Sequence, residues 1–437
     1  LNDNLYGVDL SPEAVEITQL ALWIRSARPG QTLATLSRNI VHGNSLVGPH
    51  ETIPHGFDWA DRFPEVFDRD DPGFDIVLGN PPWERIKLQE REFFSVAAPE
   101  IATAPNAARR RKLVTELAES DAELHARYRD AGKAAGELLD YCRKSGEFPL
   151  AGKGDINLYA VFAELADRLV NARGVVGLLV PSGIASDKTT KDFFASLADS
   201  NRLKRLYDFE NKKVFFPEVD GRFRFSLINF GGADQKTAEA DFAFFLHDVE
   251  ELEQKRKHIP LSGDDLKLIN PNTRTCPIFV SRRDAEITKA IYRRVPVLID
   301  RTRKGPTGNP WGVTFKTLFH QTNDAELFRE PAELDAAGFR LDGPDWVKGE
   351  ERCVPLYEAK MFRPYDHRHG SVFEDTSNWI NQGQTHETTP AQHANPEFLA
   401  RPRWWVDAAE ITAGIGENTP PAVIGFRDIT RATDSRT

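Results

Sequence analysis

The run Phe74–Trp83, FDIVLGNPPW, constrains the fold more than any other stretch of this chain. Apolar Phe74, Ile76, Val77 and Leu78 lead into Gly79, and two adjacent prolines follow Asn80. Each proline fixes φ near −65° and lacks an amide donor, so no helix or sheet ladder continues through the pair. The run reads as a buried strand that stops at Asn80 on a stiffened backbone. Its neighbours alternate in kind. NLYGVDL (Asn4–Leu10) reads as a short strand whose Tyr6 and Val8 pack on a sheet. Ser11 and Pro12 suit the N-cap and first turn of a helix that continues through Val15, Leu20, Leu22 and Trp23. NIVHGNSL is a second strand that ends in a loop. Strand, helix, strand, strand, with turns at the strand ends, points to an α/β sheet.

The pattern continues beyond the prolines. Residues 99–145 are rich in Ala, Glu and Arg and read as a helical insertion after the third strand. DINLYAVFAELADRLVN reads as an amphipathic helix capped by Asp155, and DKTTKDFFASLADS as another helix. RGVVGLLVPSGI, RLKRLYDFE and FRFSLINFGG read as strands. A first domain therefore covers 1–232. From about Ala233 the periodicity weakens, and 233–437 reads as a second domain with long loops. Within it, TRKGPTGNPWG is a linker or loop. The length of 437 residues suits such a division.

Composition narrows the function classes. Hydrophobic residues make up 40% and charged residues 28%, as in a globular protein with a sizeable core. No apolar run approaches the roughly 20 residues of a membrane span, and no signal-peptide pattern opens the chain. Cys142, Cys276 and Cys353 are too scattered for a zinc or disulfide pattern, which suits the cytoplasm. A net charge of −10 argues against a general coating of nucleic acid but allows a local basic cleft. The single methionine is Met361, and the chain opens at Leu1 inside apparent structure, so it reads as a fragment cut at both ends.

The Asn80–Pro81–Pro82–Trp83 turn has the makings of a base-binding site. Asn80 offers a side-chain oxygen, and the Pro81 carbonyl a second acceptor that no ladder claims. Two acceptors aimed at one exocyclic amino group would hold both of its N–H bonds and enrich the nitrogen as it attacks a methyl group. Trp83 offers a flat face to a flipped base. An ordinary Pro-Pro turn with a packed Trp is the alternative.

LGNPPW after a strand resembles the catalytic motif of S-adenosylmethionine-dependent, amino-methylating DNA methyltransferases, in the form usual for N6-adenine enzymes. YGVDLSPEAV is similar to the acidic strand end that binds the donor's ribose, here through Asp9. HGNSL is similar to the loop that meets the donor's adenine. It contributes Asn44, Ser45 and Leu46, with Asn44 where the family commonly has Asp. KVFFPEVDGRFRFSLINF resembles the element whose Phe stacks on the other face of the target base, here Phe216, with Phe215 as runner-up. VPLYEAKMFRPYDHR, RPRWWV and IGFRDITRATDSRT resemble segments of type IIG restriction–modification and related phage-defence methylases. The resemblance implies a Rossmann-like class I methyltransferase sheet with a helical insertion, then a mixed α+β target-recognition domain. It also implies double-stranded DNA as partner, and fused or separate nuclease or other defence subunits. The family's Gly-rich donor loop lies some 20 residues before the acidic strand end. Eight residues precede Asp9, so the first strand and its loop are expected to be missing.

Remaining motifs are less specific. Asp9 and Asn44 equally suit turn and cap roles. Arg109–Lys112 suits a solvated helix face better than a phosphate site. Arg363, His367 and Arg368, with Arg401 and Arg403, are candidate DNA contacts, and structural ion pairs suit each as well. Asp345 with Glu358 and Lys360 forms a chance-prone match to Mg-dependent nucleases, and no metal site is expected. N4-cytosine methylation, methylation of a protein glutamine or an RNA base, and a non-catalytic DNA-binding remnant are the other readings.

Overall fold

A computed structural model of the chain describes residues 3–27, 36–212, 214–372 and 384–415. The chain divides into two compact units, Leu1–Gly312 and Val313–Thr437.

In the first unit, β1 (Gly7–Asp9) pairs in parallel with β2 (Ile40–His42), which places Asp9 beside His42. The helix Pro12–Ser26 follows β1, and the Ser11 hydroxyl accepts from Ala14 N at 3.1 Å, the N-cap its position foretells. The main sheet has six strands in the order β3-β4-β6-β5-β7-β8. They are β3 (Phe74–Gly79), β4 (Val170–Pro181), β5 (Leu203–Glu210), β6 (Arg224–Gly231), β7 (Ala240–Leu246) and β8 (Ile259–Leu261). The β3–β4 and β5–β7 pairs are parallel, and the rest are antiparallel. This is a mixed α/β sheet of the class expected.

β1–β2 and β3–β8 are separate sheets. Aromatic packing bridges them. Phe63 is fully buried and meets Tyr6 at 5.3 Å, Trp59 at 5.8 Å and Phe74 at 6.3 Å between ring centroids. β3 is an edge strand, and its Ile76 and Leu78 are 69% and 85% exposed.

The insertion is helical, with its longest helices at Ala107–Ser120 and Ala122–Lys144. It carries its own small core of Phe94, Ile101, Leu117 and Leu124. Its return is pinned by Glu164, whose carboxylate accepts from Leu150 N at 3.0 Å and Ala151 N at 2.7 Å. The helix expected from Asp155 runs from Leu158 to Leu169 with Asn157 at its N-cap. Asp155 instead pairs with Arg85 at 2.7 Å, because the loop after Trp83 brings a guanidinium to it.

The break expected near residue 233 is not where the first unit ends. β7 and β8 extend the sheet beyond that point, since apolar Phe242, Ala243, Phe244 and Ile259 bury themselves against it. The unit closes at Gly312, the last residue of the TRKGPTGNPWG stretch.

The second unit holds a four-stranded sheet in the order β14-β11-β10-β9 and a hairpin of β12 (Gly370–Val372) and β13 (Thr385–Glu387). The sheet strands are β9 (Arg340–Asp342), β10 (Asp345–Lys348), β11 (Glu351–Leu356) and β14 (Trp404–Asp407). VPLYEAKMFRPYDHR and RPRWWV therefore meet, with Val354 opposite Val406. IGFRDITRATDSRT lies outside the described residues. Among the described residues no helix is long and apolar enough to cross a membrane, and all three cysteines are buried and free.

Candidate active site at the end of β3

Asn80–Trp83 leaves β3 beside β4, with Gly79 opposite Leu178. The loop is held from beyond. Leu158 N donates to Glu84 O at 2.8 Å and Ile86 N to Ile156 O at 3.1 Å, which ties it to the start of the Leu158–Leu169 helix. Asn80 is exposed and Pro81 buried. The Trp83 indole N–H donates to Asn80 Oδ1 at 3.1 Å and lies 3.4 Å from Leu179 O on β4. An amide oxygen has two lone pairs, so Asn80 keeps one acceptor position. Among the described residues nothing donates to the Pro81 carbonyl. Asn80 therefore keeps an exposed acceptor position, while the unclaimed Pro81 carbonyl belongs to a buried residue.

The aromatic partners are arranged differently from the expected sandwich. Trp83 and Phe216 meet edge to face, 5.9 Å apart at 79°. Two stacking distances of about 3.5 Å each would separate the faces of a base sandwich, so this pair leaves no parallel slot. The ring that lies flat against Trp83 is Phe225, at 6.3 Å and 29°. Phe215 turns inward, edge-on to Phe209 and Phe225. Buried Asn211 shapes the Phe216 loop: its side chain accepts from Phe216 N and donates to Phe216 O and Val219 O. Sequence reading missed Asn211 and Phe225. Phe225 was one of several Phe in its strand, and Asn211 had no distinguishing signal beyond its place in a turn.

The expected donor residues gather at the ends of β1 and β2. One Asp9 oxygen accepts from Ser11 N at 2.8 Å, and the exposed carboxylate keeps the other for a diol. Asn44 Oδ1 accepts from Leu46 N at 3.2 Å and so closes its own turn. Leu46 is 5% exposed and belongs to the core. The Ser45 carbonyl accepts from the Trp59 indole at 3.1 Å. A diol fits Asp9; toward an adenine ring the turn keeps one Asn44 lone pair, because the Asn44 N–H and C=O, the Leu46 N–H and the Ser45 carbonyl are bonded within the protein. Gly56 bridges to Asn44, and a Cβ there would lie 2.1 Å from Gly48 O and 2.9 Å from Val47 O. Gly56→Ala should therefore shift the Asn44–Val47 turn and cost about 1–3 kcal/mol. Urea denaturation measures this, and a change below about 0.5 kcal/mol, typical of an unconstrained surface site, would contradict it.

The candidate DNA residues of the second unit divide. Arg368 donates to the carbonyls of Asn395, Phe398 and His393. Arg403 pairs with Glu330 at 3.2 Å and lies over the Trp404 ring. Both guanidinium groups hold the fold together. Arg363 stands 3.5 Å from exposed Glu387, and His367 and Arg401 are exposed. Asp345 pairs with Arg352, and Glu358 with Lys360, as two separate ion pairs. In the insertion, Arg110 is turned toward Glu90, while Arg109, Arg111 and Lys112 are exposed.

No curated protein sequence matches this chain. Solved structures with partial likeness include the methyltransferase subunit of a type I restriction-modification system from Streptococcus thermophilus, at 11% identity and a TM-score of 0.36. That match covers 62% of this chain and 47% of the other. A DrdV–DNA complex matches at 14% identity and 0.34, over 57% and 22% of the two chains. The ATP-dependent type ISP restriction-modification enzyme LlaBIII bound to DNA matches at 10% and 0.32, over 55% and 14%. This chain thus spans less than half the length of each. The model of the Eco57I restriction-modification methylase family matches residues 3–107 and 137–215. The unmatched interval falls inside the helical insertion, and the match takes in Asp9, Asn44 and Asn80–Trp83 and stops one residue short of Phe216. Over those two stretches the chain carries the sequence pattern of the Eco57I restriction-modification methylases.

Proposed function

We propose that the chain is the catalytic and target-recognition part of a DNA methyltransferase that methylates the N6 amino group of adenine, in restriction–modification or another form of phage defence. The observation that carries this reading is the Asn80–Trp83 turn. It leaves the strand β3 with an exposed amide oxygen and an unclaimed prolyl carbonyl beside an indole, inside the stretch that matches methylases. S-adenosylmethionine supplies the methyl group. Asp9 would hold its ribose, and the turn of Asn44, Ser45 and Leu46 would meet its adenine.

The target adenine is flipped from the duplex to reach the turn. Asn80 Oδ1 and the Pro81 carbonyl each accept one hydrogen of its amino group. That fixes the nitrogen and turns its lone pair toward the methyl carbon, so positioning and electrostatics supply the rate. The nitrogen forms the new bond as the carbon–sulfur bond breaks, and one amino proton then leaves to solvent. Pro82 stiffens the turn. For Trp83 and Phe216 to clasp the ring, Phe216 must swing from its present edge-on position. In the second unit, Arg363, His367 and Arg401 are exposed and are the candidates for DNA contact. The tethered Arg368 and Arg403 would shape that surface.

The test is incubation with unmethylated DNA and methyl-labelled S-adenosylmethionine, followed by digestion to nucleosides. Label in N6-methyladenosine is expected. Label in N4-methylcytosine would keep the mechanism and change the base. Donor binding without label in DNA would overturn the substrate assignment.

A further inference from the structure

Behind Trp83 lies a buried carboxylate that the transfer chemistry does not use. Asp208, on β5, is 3% exposed. One of its oxygens accepts from the Ser182 hydroxyl and, at 3.2 Å, from the Ser226 hydroxyl; the other accepts from the Arg224 guanidinium. The two hydroxyls are 3.3 Å apart. Burial pushes the Asp208 carboxyl up from its ordinary range, and Arg224 and the hydroxyls oppose that push. The guanidinium also lies 4.9 Å over the Phe245 ring, and its Nε is buried without a partner.

The partners of Asp208 sit next to the supports of Trp83. Ser182 follows the last residue of β4, three positions after Leu179, whose carbonyl faces the indole N–H. Arg224 and Ser226 flank Phe225, the ring that lies against Trp83. Asp208 precedes Phe209, which stacks on Phe225 at 5.3 Å and 9°. Across the β5–β6 ladder Asp208 stands opposite Ser226, and Phe209 opposite Phe225. Side chains alternate along a strand, so one face of this sheet end carries the polar clamp and the other the aromatic stack.

We propose that Asp208 is a positioning residue. Its carboxylate locks the ends of β4, β5 and β6 together and so fixes Trp83, the face offered to the target base. The proposal rests on the methyl-transfer reading of Trp83 given above. Removing the charge leaves a partly buried guanidinium uncompensated, and such groups re-pair at the expense of local geometry. Leu179 O and Phe225 then no longer hold the indole in one orientation.

The test uses the full chain labelled with 5-fluorotryptophan. The Trp83 fluorine resonance is assigned by its absence in Trp83→Phe. Asp208→Asn should shift or broaden that resonance and leave those of Trp404 and Trp405 in place. In a methyl-transferring form it should lower kcat by about 10- to 10²-fold, as a misplaced reacting group does. KM values for DNA and donor should change by less than about twofold, because binding elsewhere is untouched. The double variant Asp208→Asn, Arg224→Gln restores a neutral hydrogen-bonding pair and should recover both the resonance and the rate. An unmoved Trp83 resonance, or a rate loss that the double variant shares and that tracks melting temperature, overturns the proposal. If Asp208→Asn does not fold, Ser226→Ala removes one hydroxyl and keeps the ion pair; a smaller shift supports the proposal and none overturns it. Absence of methyl transfer by the unaltered chain counts against the transfer reading, while the fluorine spectrum still decides whether Asp208 fixes Trp83.

Discussion

Asn80→Ala should reduce methyl transfer by about 10²–10³-fold, the range seen when one preorganised polar group is removed from a developing charge. The substitution deletes the side-chain acceptor and leaves the Pro81 carbonyl to hold the amino group alone. It also frees the Trp83 indole from its 3.1 Å partner and leaves only the longer approach to Leu179 O. Donor binding should be retained, because Asp9 and the Asn44 turn stand on β1 and β2, in a different sheet. Asn80→Asp keeps two acceptor oxygens and should retain more activity than the alanine variant. Turnover with labelled donor, together with calorimetry for donor affinity, checks both statements in a form that transfers methyl groups. Activity of Asn80→Ala within about threefold of the unaltered protein would remove Asn80 from the reaction, since such a change is below the cost of any lost transition-state contact.

Phe63→Ala should be the most destabilising single change near the site, at about 3–5 kcal/mol for a fully buried phenyl ring. Phe63 is 0% exposed and touches Tyr6, Trp59 and Phe74. These rings join the β1–β2 pair to the main sheet together with Leu46 and Val47, which follow β2 into the core; among the described residues no ladder runs between the two sheets. Loss of the ring should therefore loosen Gly7–Asp9 and Ile40–His42 before β4–β6. Hydrogen exchange would show early loss of protection in those two segments, and urea denaturation would show a second, weaker transition. Uniform protection with a cost under about 1 kcal/mol, the size of an ordinary surface effect, would show that the cluster does not couple the sheets.

Elements governed by near neighbours in sequence were legible without a structure. The stop at Asn80–Trp83, the capped helix after Ser11 and the helical character of the insertion all follow from residues within a turn or two of one another. The features that local sequence could not place share the opposite cause. Asp155 has the chemistry of a cap, but Arg85 arrives from a loop seventy residues earlier and takes it. Phe216 and Phe225 are alike as residues, and pairing of β6 with β4 and β5 is what lays Phe225 against Trp83. Arg368 and Arg403 look like phosphate contacts until backbone carbonyls and Glu330 close on them. The first unit runs to 312 and not 232 because β7 and β8 pair within the sheet and Leu266, Ile269, Phe279 and Ala285 join its core.

By itself, then, the sequence determined where β3 ends, that a stiff turn follows, and that this turn lies within a methylase pattern. Proline geometry and amide chemistry act locally and needed no partner to be read. The tertiary structure alone decided which ring supports Trp83, which arginines are tied to backbone carbonyls and how β1 and β2 are attached. Those outcomes depend on side chains far apart in sequence competing for the same buried space and the same hydrogen-bond partners, and burial favours the satisfied pair.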